Sequence, residues 1–374
     1  MRRLRDMLPV AAVLMLLAAS PAAAEPCANA SGWDVSCLRR LYAAPLAAWP
    51  APRIEGDGGY REMAPLSPPL PASSSPPAPA DTVPEPLRQL GSRLFFDPAL
   101  SASDAIACAS CHRPDHAFAD TQAISPGHDG RRGRRNAPAL VGVAHAAPLF
   151  WDGRAPTLEA QALGPIADAD EMAMPLDRLP GKLAALPGYR EHFAAAFGDG
   201  EVTLARIQSA LAAYQRTLVP VPTRFDDFLR GRTDALDDRE LLGLHLFRTK
   251  ARCMSCHNGP TLADNRFHNL GLTYYGRQRE DLGRYRVSAD PADVGAFRTP
   301  TLRSVAQSGP WMHNGVFSSL RGILNLYNAG MPRPRPANAA QAADPLFPQT
   351  SRLLRPLELR ADELQALEAF LRAL

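Results

Sequence analysis

The chain has 374 residues, of which 46% are apolar, 21% charged and 7% aromatic, and its formal net charge is +3. This composition excludes wholesale disorder, and the length accommodates two globular domains, although 37 prolines predict long irregular stretches. The net charge is too small for a nucleic-acid-binding protein, and six cysteines are too few for a disulfide-stabilised scaffold. The spacing of the cysteines therefore has to be interpreted pair by pair.

Residues 1–24 have the features of a secretory signal peptide. Arginines near the start precede an apolar run from Met7 to Ala19, and small residues at Ala22–Ala24 suit a signal peptidase. The apolar run is too short to span a bilayer comfortably, and no other stretch is long enough. We therefore expect a soluble protein that is exported to a bacterial periplasm and has no membrane span after cleavage.

Residues 25–83 form a Pro-rich N-terminal extension. Its densest run, from Pro65 to Pro86, favours extended, semi-rigid chain over packed helix. Cys27 and Cys37 could close a small disulfide loop in an oxidising compartment, and we interpret such a loop as a local structural staple.

Two longer segments then share a pattern, which is a weak internal repeat. Leu90-Gly91-Ser-Arg-Leu-Phe95 precedes one cysteine pair, and Leu242-Gly243-Leu-His-Leu-Phe247 precedes another. In each copy a short amphipathic helix is predicted to lead into a cysteine loop. The repeat predicts two related domains, residues 84–232 and 233–374.

The remaining periodicity is helical. Thr203 is a suitable N-cap for a helix with apolar residues on one face, and the C-terminus repeats this pattern between Leu364 and Leu374. No long alternating strand pattern is present. The sequence therefore predicts a mostly α fold with long loops.

The cysteine pairs themselves carry the chemistry. Cys108-Ala-Ser-Cys111-His112 and Cys253-Met-Ser-Cys256-His257 match the covalent attachment motif of c-type haem. The two thiols add to the haem vinyl groups, and the histidine becomes the proximal ligand of the iron. A shared zinc site would need pairs much closer in sequence, and a redox disulfide gives no reason for a following histidine. We expect two covalently bound haem c groups with His112 and His257 as proximal ligands.

At this point the sequence resembles the bacterial di-haem cytochrome c peroxidases and their MauG-type relatives, over residues 84–374. The resemblance rests on the helix that precedes the first motif, on both haem motifs and on further blocks in the family order: Arg135-Asn-Ala-Pro138, Phe150-Trp-Asp-Gly-Arg154, Thr299-Pro-Thr-Leu-Arg303 and Pro310-Trp-Met-His-Asn-Gly315. It implies two helical, cytochrome-like haem domains that face each other.

The resemblance also implies roles for individual residues. Trp151 matches the tryptophan that relays electrons between the haems, although by itself it would be interpreted as a core aromatic. Gln161, Pro165 and Glu171 match the distal pocket of the peroxide-binding haem. Cleavage of peroxide needs a group that moves a proton between its oxygens, so Glu171 is the candidate acid–base and Gln161 would position peroxide or water.

Two ligand positions give mixed indications about the subfamily. His128 matches the histidine that ligates the peroxidatic haem in resting peroxidases and that MauG-type proteins lack. Tyr327 lies where the peroxidases have a methionine ligand to the second haem and where MauG-type enzymes have a tyrosine. Met312 and Met331 are nearby alternatives to Tyr327.

The family also holds a calcium ion between its haem domains. The matching donors are the side chain of Asn136 and the carbonyl groups of Ser308 and Pro310, which suit a hard cation. The expected function is reduction of hydrogen peroxide with electrons from a small c-type cytochrome or cupredoxin. The alternatives are a MauG-type enzyme that oxidises aromatic residues of a partner protein and a plain di-haem electron carrier, and a homodimer is left open.

Overall fold

The computed structural model describes residues 27–30, 32–56, 58–66 and 83–374. The predicted signal peptide and most of the Pro-rich run lie outside the described residues. The described chain is mostly helical, as predicted, and its helices are α1 Val35–Tyr42, α2 Glu85–Phe96, α3 Cys108–Cys111, α4 Leu158–Ala167, α5 Leu179–Ala185, α6 Tyr189–Phe197, α7 Leu204–Arg216, α8 Arg224–Leu229, α9 Asp238–Arg248, α10 Tyr285–Ser288, α11 Leu320–Asn328, α12 Ala339–Ala343 and α13 Ala361–Arg372.

Strands are short and form two antiparallel pairs in the described residues. β1 (Ala28–Asn29) pairs with β2 (Gly32–Trp33), and β3 (Phe267–Asn269) pairs with β4 (Ala296–Arg298). In the second pair Phe267 lies opposite Arg298. Within the part of the chain that is described, no helix is both long and apolar enough to cross a membrane.

The first hydrophobic core is built around α2 and α7. The hydroxyl of Thr203 accepts a hydrogen bond from the amide of Arg206 and so caps α7, as the sequence predicted. Apolar residues of α7, including Ile207 and Leu211, are fully buried against α2. The two helices approach closely at Gly91, where a Cβ atom would overlap the carbonyl group of Ala210.

The second core repeats this arrangement with α9 and α13. Leu367 and Phe370 of α13 are fully buried against α9. A Cβ atom on Gly243 of α9 would overlap the carbonyl group of Ala366, just as a Cβ atom on Gly91 would overlap that of Ala210 in the first core. The internal repeat of the sequence is therefore a repeat of structure, in which a glycine brings each motif-bearing helix against its partner.

An N-terminal segment packs on the second core. We call the described residues between Cys27 and Leu66 the N-terminal strap. Cys27 and Cys37 form the disulfide bond that their spacing suggested. Tyr42 and Met63 are buried in the second core. The strap is thus part of the second folding unit.

The division of the chain at residues 232 and 233 stays a prediction. The first core contains buried residues between Leu90 and Leu218, and the second contains residues of the strap and of the chain from Phe225 onwards. The short helix α8 therefore packs with the second core, although it precedes the predicted boundary.

Candidate active site

The first cysteine motif borders a cavity of about 360 Å³, which we call the first cavity. Cys108 and Cys111 lie on α3, both are free thiols, and both border this cavity together with His112. The Nδ1 atom of His112 is 2.9 Å from the carbonyl oxygen of Phe118. This contact fixes the ring and leaves Nε2 as the ligand atom, and metal-bound histidines typically have their other ring nitrogen bonded to a carbonyl group in this way.

The second motif borders a separate cavity of about 240 Å³, which we call the second cavity. Cys253 and Cys256 are also free thiols, and His257 holds its Nδ1 atom 3.0 Å from the carbonyl oxygen of Leu262. Burial lowers the pKa of His257, as it lowers that of His112, so both imidazoles are neutral and able to bind a metal.

These residues fit the attachment of one haem c in each cavity. Each cavity presents two thiols that have no disulfide partner and one neutral imidazole whose Nδ1 atom is fixed by a backbone carbonyl group. Burial raises the pKa of Cys108 and of Cys253 to about 12, so both are protonated thiols, and a thiol is the group that adds to a haem vinyl group. The donor set therefore favours thioether bonds to a macrocycle.

Trp151 lies between the two cavities and borders both. Its indole N–H donates a hydrogen bond of 2.9 Å to the carbonyl oxygen of Asn136, and its own carbonyl oxygen accepts one from the amide of Arg298. These two bonds fix the tryptophan from both sides. The position agrees with the predicted electron relay, and the relay role itself stays a prediction.

The distal residues predicted for the first haem lie together. Gln161 and Pro165 are on α4, Glu171 is on the loop that follows, and all three border the first cavity with His112. The amide of Met172 donates to the carbonyl oxygen of Pro165 and folds this loop back along the helix. Burial raises the pKa of the Glu171 carboxyl.

His128 is not among the residues that border the first cavity. Its amide donates a hydrogen bond of 2.7 Å to the carbonyl oxygen of Glu171, so its loop packs against the distal loop. Its imidazole Nε2 lies 3.3 Å from the carboxylate of Asp129 and its side chain is one-fifth exposed. Ligation of the first iron by His128 stays a prediction.

The second cavity contains one of the predicted ligands and one of its competitors. Tyr327 and Met312 border it, whereas Met331 does not. Burial raises the pKa of the Tyr327 phenol, so its ionisation requires a cation nearby. The assignment of Tyr327 as iron ligand stays a prediction.

The predicted calcium donors also lie together. Asn136, Ser308 and Pro310 all border the second cavity. The Asn136 side-chain nitrogen is oriented toward the carbonyl oxygens of Gln122 and Ala123, at 3.1 and 3.2 Å. This hydrogen bonding fixes the side-chain amide, and a calcium ion at these donors stays a prediction.

Sequence reasoning missed several residues that border the cavities. Arg298 borders both, and burial lowers its pKa to about 10. His268 borders the second cavity and lies 2.9 Å from a carboxylate oxygen of Asp264. His313 also borders the second cavity, and its ring stacks on Phe297 at 3.6 Å between centroids. His313 lies within the Pro310–Gly315 block without a role of its own there, and no local pattern marks Arg298 or His268, which reach the cavities from distant parts of the chain.

The comparisons with known proteins agree with this site. A family model described as di-haem cytochrome c peroxidase matches residues 85–234. Cytochrome c551 peroxidase of Nitrosomonas europaea is 38% identical over 235 residues, which cover 63% of this chain and 70% of that protein. Cytochrome-c peroxidase IdrP1 of Denitromonas iodatirespirans is 33% identical over 371 residues, covering 91% and 93%. The methylamine utilization protein MauG of Methylorubrum extorquens is 37% identical, covering 76% and 77%.

A solved structure described as a MauG-like protein associated with microbial copper homeostasis superimposes with a TM-score of 0.69. It is 29% identical to this chain, and the match covers 85% of this chain and 94% of that one. The similarity therefore includes both cavities and the segment between them. The chain belongs to the di-haem cytochrome c peroxidase and MauG family, whose members are oxidoreductases with two c-type haems.

Proposed function

We propose that this protein is a periplasmic peroxidase that reduces hydrogen peroxide with electrons from a small c-type cytochrome or cupredoxin. The observation that carries the proposal is the joint position of Gln161 and Glu171 on the cavity that also contains His112. A haem held by Cys108, Cys111 and His112 would supply an iron for peroxide chemistry in this cavity. A plain electron carrier would have no use for a buried acid there.

Glu171 would move the proton. As a carboxylate it would accept the proton of one peroxide oxygen, and as the acid it would return that proton to the other oxygen, which leaves as water. The side-chain amide of Gln161 would hold peroxide or water in line with the carboxyl group, and Pro165 would complete the apolar side. Each peroxide takes up two electrons and two protons and gives two molecules of water.

Electrons would enter at the second cavity and pass to the first through Trp151, which borders both. Cys253, Cys256 and His257 would attach the second haem, and Tyr327 would be its opposite ligand. An anionic oxygen ligand favours the oxidised iron, so Tyr327 would lower the potential of this haem relative to a methionine ligand.

Further assignments belong to the same proposal. Residues 1–24 would direct export, and residues 84–232 and 233–374 would each carry one haem. Asn136, Ser308 and Pro310 would hold one calcium ion, and His128 would be a ligand of the first iron in one state of the protein. The proposal does not assign the number of copies of the chain in the assembly.

A steady-state assay with hydrogen peroxide and a reduced c-type cytochrome tests the function. We expect peroxide-dependent oxidation of the cytochrome by the protein with both haems, and a large loss of this activity in the Glu171→Gln variant. Absence of turnover in the wild-type protein, also after pre-reduction of one haem, would exclude a peroxidase.

A second candidate function is supported by Tyr327. Its position on the second cavity and the similarity to a protein named MauG favour an enzyme that oxidises aromatic residues of a partner protein. Electron paramagnetic resonance of the Tyr327→Phe variant tests the ligand: a changed low-spin ferric signal supports it, and an unchanged signal excludes it. Peroxide-driven modification of a partner, without a reduced donor, would then favour the MauG-type reaction.

A further inference from the structure

Arginine side chains surround the rim of the second cavity on the side of the N-terminal strap. Arg252 and Arg355 border the cavity itself, and Arg53 of the strap lies beside them. All three contact one carboxylate, that of Glu55: Arg53 and Arg252 at 3.7 Å and Arg355 in a direct ion pair. Three guanidinium groups thus share one negative charge.

Two more arginines extend this group. Arg61 is exposed and packs beside Gly259, two residues after the haem-ligand position His257. Arg266 is also exposed and packs against Gly58 of the strap. We call Arg53, Arg61, Arg252, Arg266 and Arg355 the arginine surface.

Two described carboxylates beside this surface are used by internal partners. Glu62 binds the buried Arg248 at 2.6 Å, and Asp264 binds His268 at 2.9 Å. About half of the Arg53 and Arg355 side chains is exposed to solvent. Burial and the neighbouring charge of Arg355 lower the pKa of Arg252, which reflects the crowding of positive charge. Among the described residues, the surface therefore carries a net positive charge that faces solvent.

We propose that the arginine surface docks an acidic small redox protein, which delivers electrons to the haem of the second cavity. The proposal rests on the proposed function and names the class of its electron donor. Carboxylates around the redox centre of the donor would pair with the arginines and place that centre at the rim next to Cys253. One electron leaves the donor and reduces the second iron, and no bond is made or broken.

The kind of docking partner follows from the location of the arginine surface together with its positive charge. A positive surface at the rim of the electron-accepting cavity attracts an acidic protein over distances comparable to the Debye length, and this attraction raises the association rate. An anionic membrane would also be attracted to arginines, but it would gain nothing from their position at the rim of a redox cavity.

The test uses the protein with both haems and reduced plastocyanin, an acidic cupredoxin, in stopped-flow mixing. Reduction of the second haem should slow as ionic strength rises, and in the R53E/R266E variant at low salt it should slow by about tenfold or more. Neither substituted arginine borders the cavity. The R53Q/R266Q variant should show a smaller loss of the reduction rate. Because this variant removes the charges without reversing them, a graded loss distinguishes an effect of charge from a folding defect of the charge-reversed protein.

The matched control is R178E/R190E, which reverses two exposed arginines of the first folding unit. This control should react with plastocyanin like the wild type, and all variants should be reduced equally by ascorbate with a small redox mediator. Mitochondrial cytochrome c, a basic protein, should reduce R53E/R266E faster than it reduces the wild type. Equal plastocyanin rates in the wild type and R53E/R266E would overturn the proposal.

The outcome is separate from that of the proposed function. If peroxide is not consumed with a chemical reductant, the peroxidase assignment fails, yet salt-dependent reduction by plastocyanin still supports the docking surface. Loss of binding to vesicles of anionic phospholipid in R53E/R266E, with unchanged donor kinetics, would assign the surface to a membrane and overturn the docking proposal.

Discussion

The carboxyl group of Glu171 borders the first cavity, where the proposed reaction would need a proton carrier. Burial raises its pKa, the nearby charge of Asp168 raises it further, and Arg154 acts in the opposite direction. A carboxyl whose pKa moves toward neutrality can both accept and donate a proton near the working pH. Glu171 therefore has the protonation behaviour that its proposed role requires.

Replacement of Glu171 by glutamine should lower kcat/KM for peroxide by about 10²- to 10⁴-fold, the usual contribution of a positioned acid–base group. The wild-type rate should fall as pH drops through the raised pKa, because the protonated carboxyl cannot accept a proton. The variant should lack this acid limb. The pH dependence of kcat/KM measures both effects, with Asp177→Asn, an exposed carboxylate away from the cavity, as the control. An acid limb that persists in E171Q would contradict the assignment.

For individual residues, predictions from the sequence agree best with the structure where the residues are close along the chain. Gln161, Pro165 and Glu171 come together through one helix and its return loop, so offsets in the sequence suffice to predict their proximity. Arg298 and His268 reach the cavities by tertiary packing from far along the chain, and no local pattern reports such contacts. His128 was predicted from its offset alone, which does not specify the direction of a loop side chain.

At the scale of elements, the two glycine contacts determine how closely the helices pack. Gly243 of α9 meets the carbonyl group of Ala366 on α13, where a methyl group has no room. The Gly243→Ala variant should force the helices apart and destabilise the protein by about 1–3 kcal/mol, as overpacking does. Urea unfolding followed by circular dichroism measures the change.

Gly181→Ala is the matched control for this prediction. Gly181 also lies within a helix, α5, but a Cβ atom there meets no neighbour within 4 Å. Alanine should raise helix propensity at that position and leave stability equal or slightly greater. Equal stability of G243A and G181A would show that α9 and α13 can separate without loss of stability. The close contact would then not be required for a stable fold.

A buried carboxylate joins the strap to α13. Glu363 accepts hydrogen bonds from the Trp33 indole at 2.9 Å and from Lys250 at 2.7 Å, and its side chain is 1% exposed. Burial alone would raise its pKa, but the bonds from Lys250, the Arg360 amide and Trp33 outweigh it, and the pKa is lowered. The ionised form thus stabilises the fold at pH values above the unfolded-state pKa.

The Glu363→Gln variant should therefore be less stable than the wild type at pH 7, by about 1–3 kcal/mol, because Lys250 loses its partner. As pH falls through the lowered pKa, the wild type protonates Glu363 and loses this contribution, so the difference should shrink. Urea unfolding at a series of pH values measures it, with Glu191→Gln, at an exposed position of α6, as the control. A difference independent of pH would refute the role of the charge.

The position of the strap shows why elements were easier to predict than their packing. The apolar periodicities of α7 and α13 predict the helices and their buried faces. The burial of Tyr42 and Met63 in the second core depends on contacts with residues far along the chain, for which proline-rich composition gives no indication. Composition predicts that such a chain is extended, and it does not predict what that chain contacts.

At the scale of the whole molecule, the two cavities are separate sites whose linings share several residues, among them Asn136, Trp151 and Arg298. Trp151 borders both, and its hydrogen bond to the carbonyl oxygen of Asn136 holds the indole between them. A donor that docks at the arginine surface and a peroxide that binds beside Glu171 are therefore at opposite ends of one path. Under the proposed function, this arrangement would place the docked donor and the proton chemistry at different cavities.

The Trp151→Phe variant tests this path as a whole. Reduction of the second haem by a donor should be unchanged, whereas its reoxidation by peroxide at the first cavity should slow by roughly tenfold, equivalent to about 1.4 kcal/mol of additional barrier. Stopped-flow absorbance resolves the two phases. Trp311→Phe is the matched control, because Trp311 also donates its indole N–H to a backbone carbonyl at 2.9 Å but borders only the second of these cavities. Equal reoxidation rates in the two variants would mean that electrons cross between the cavities without Trp151.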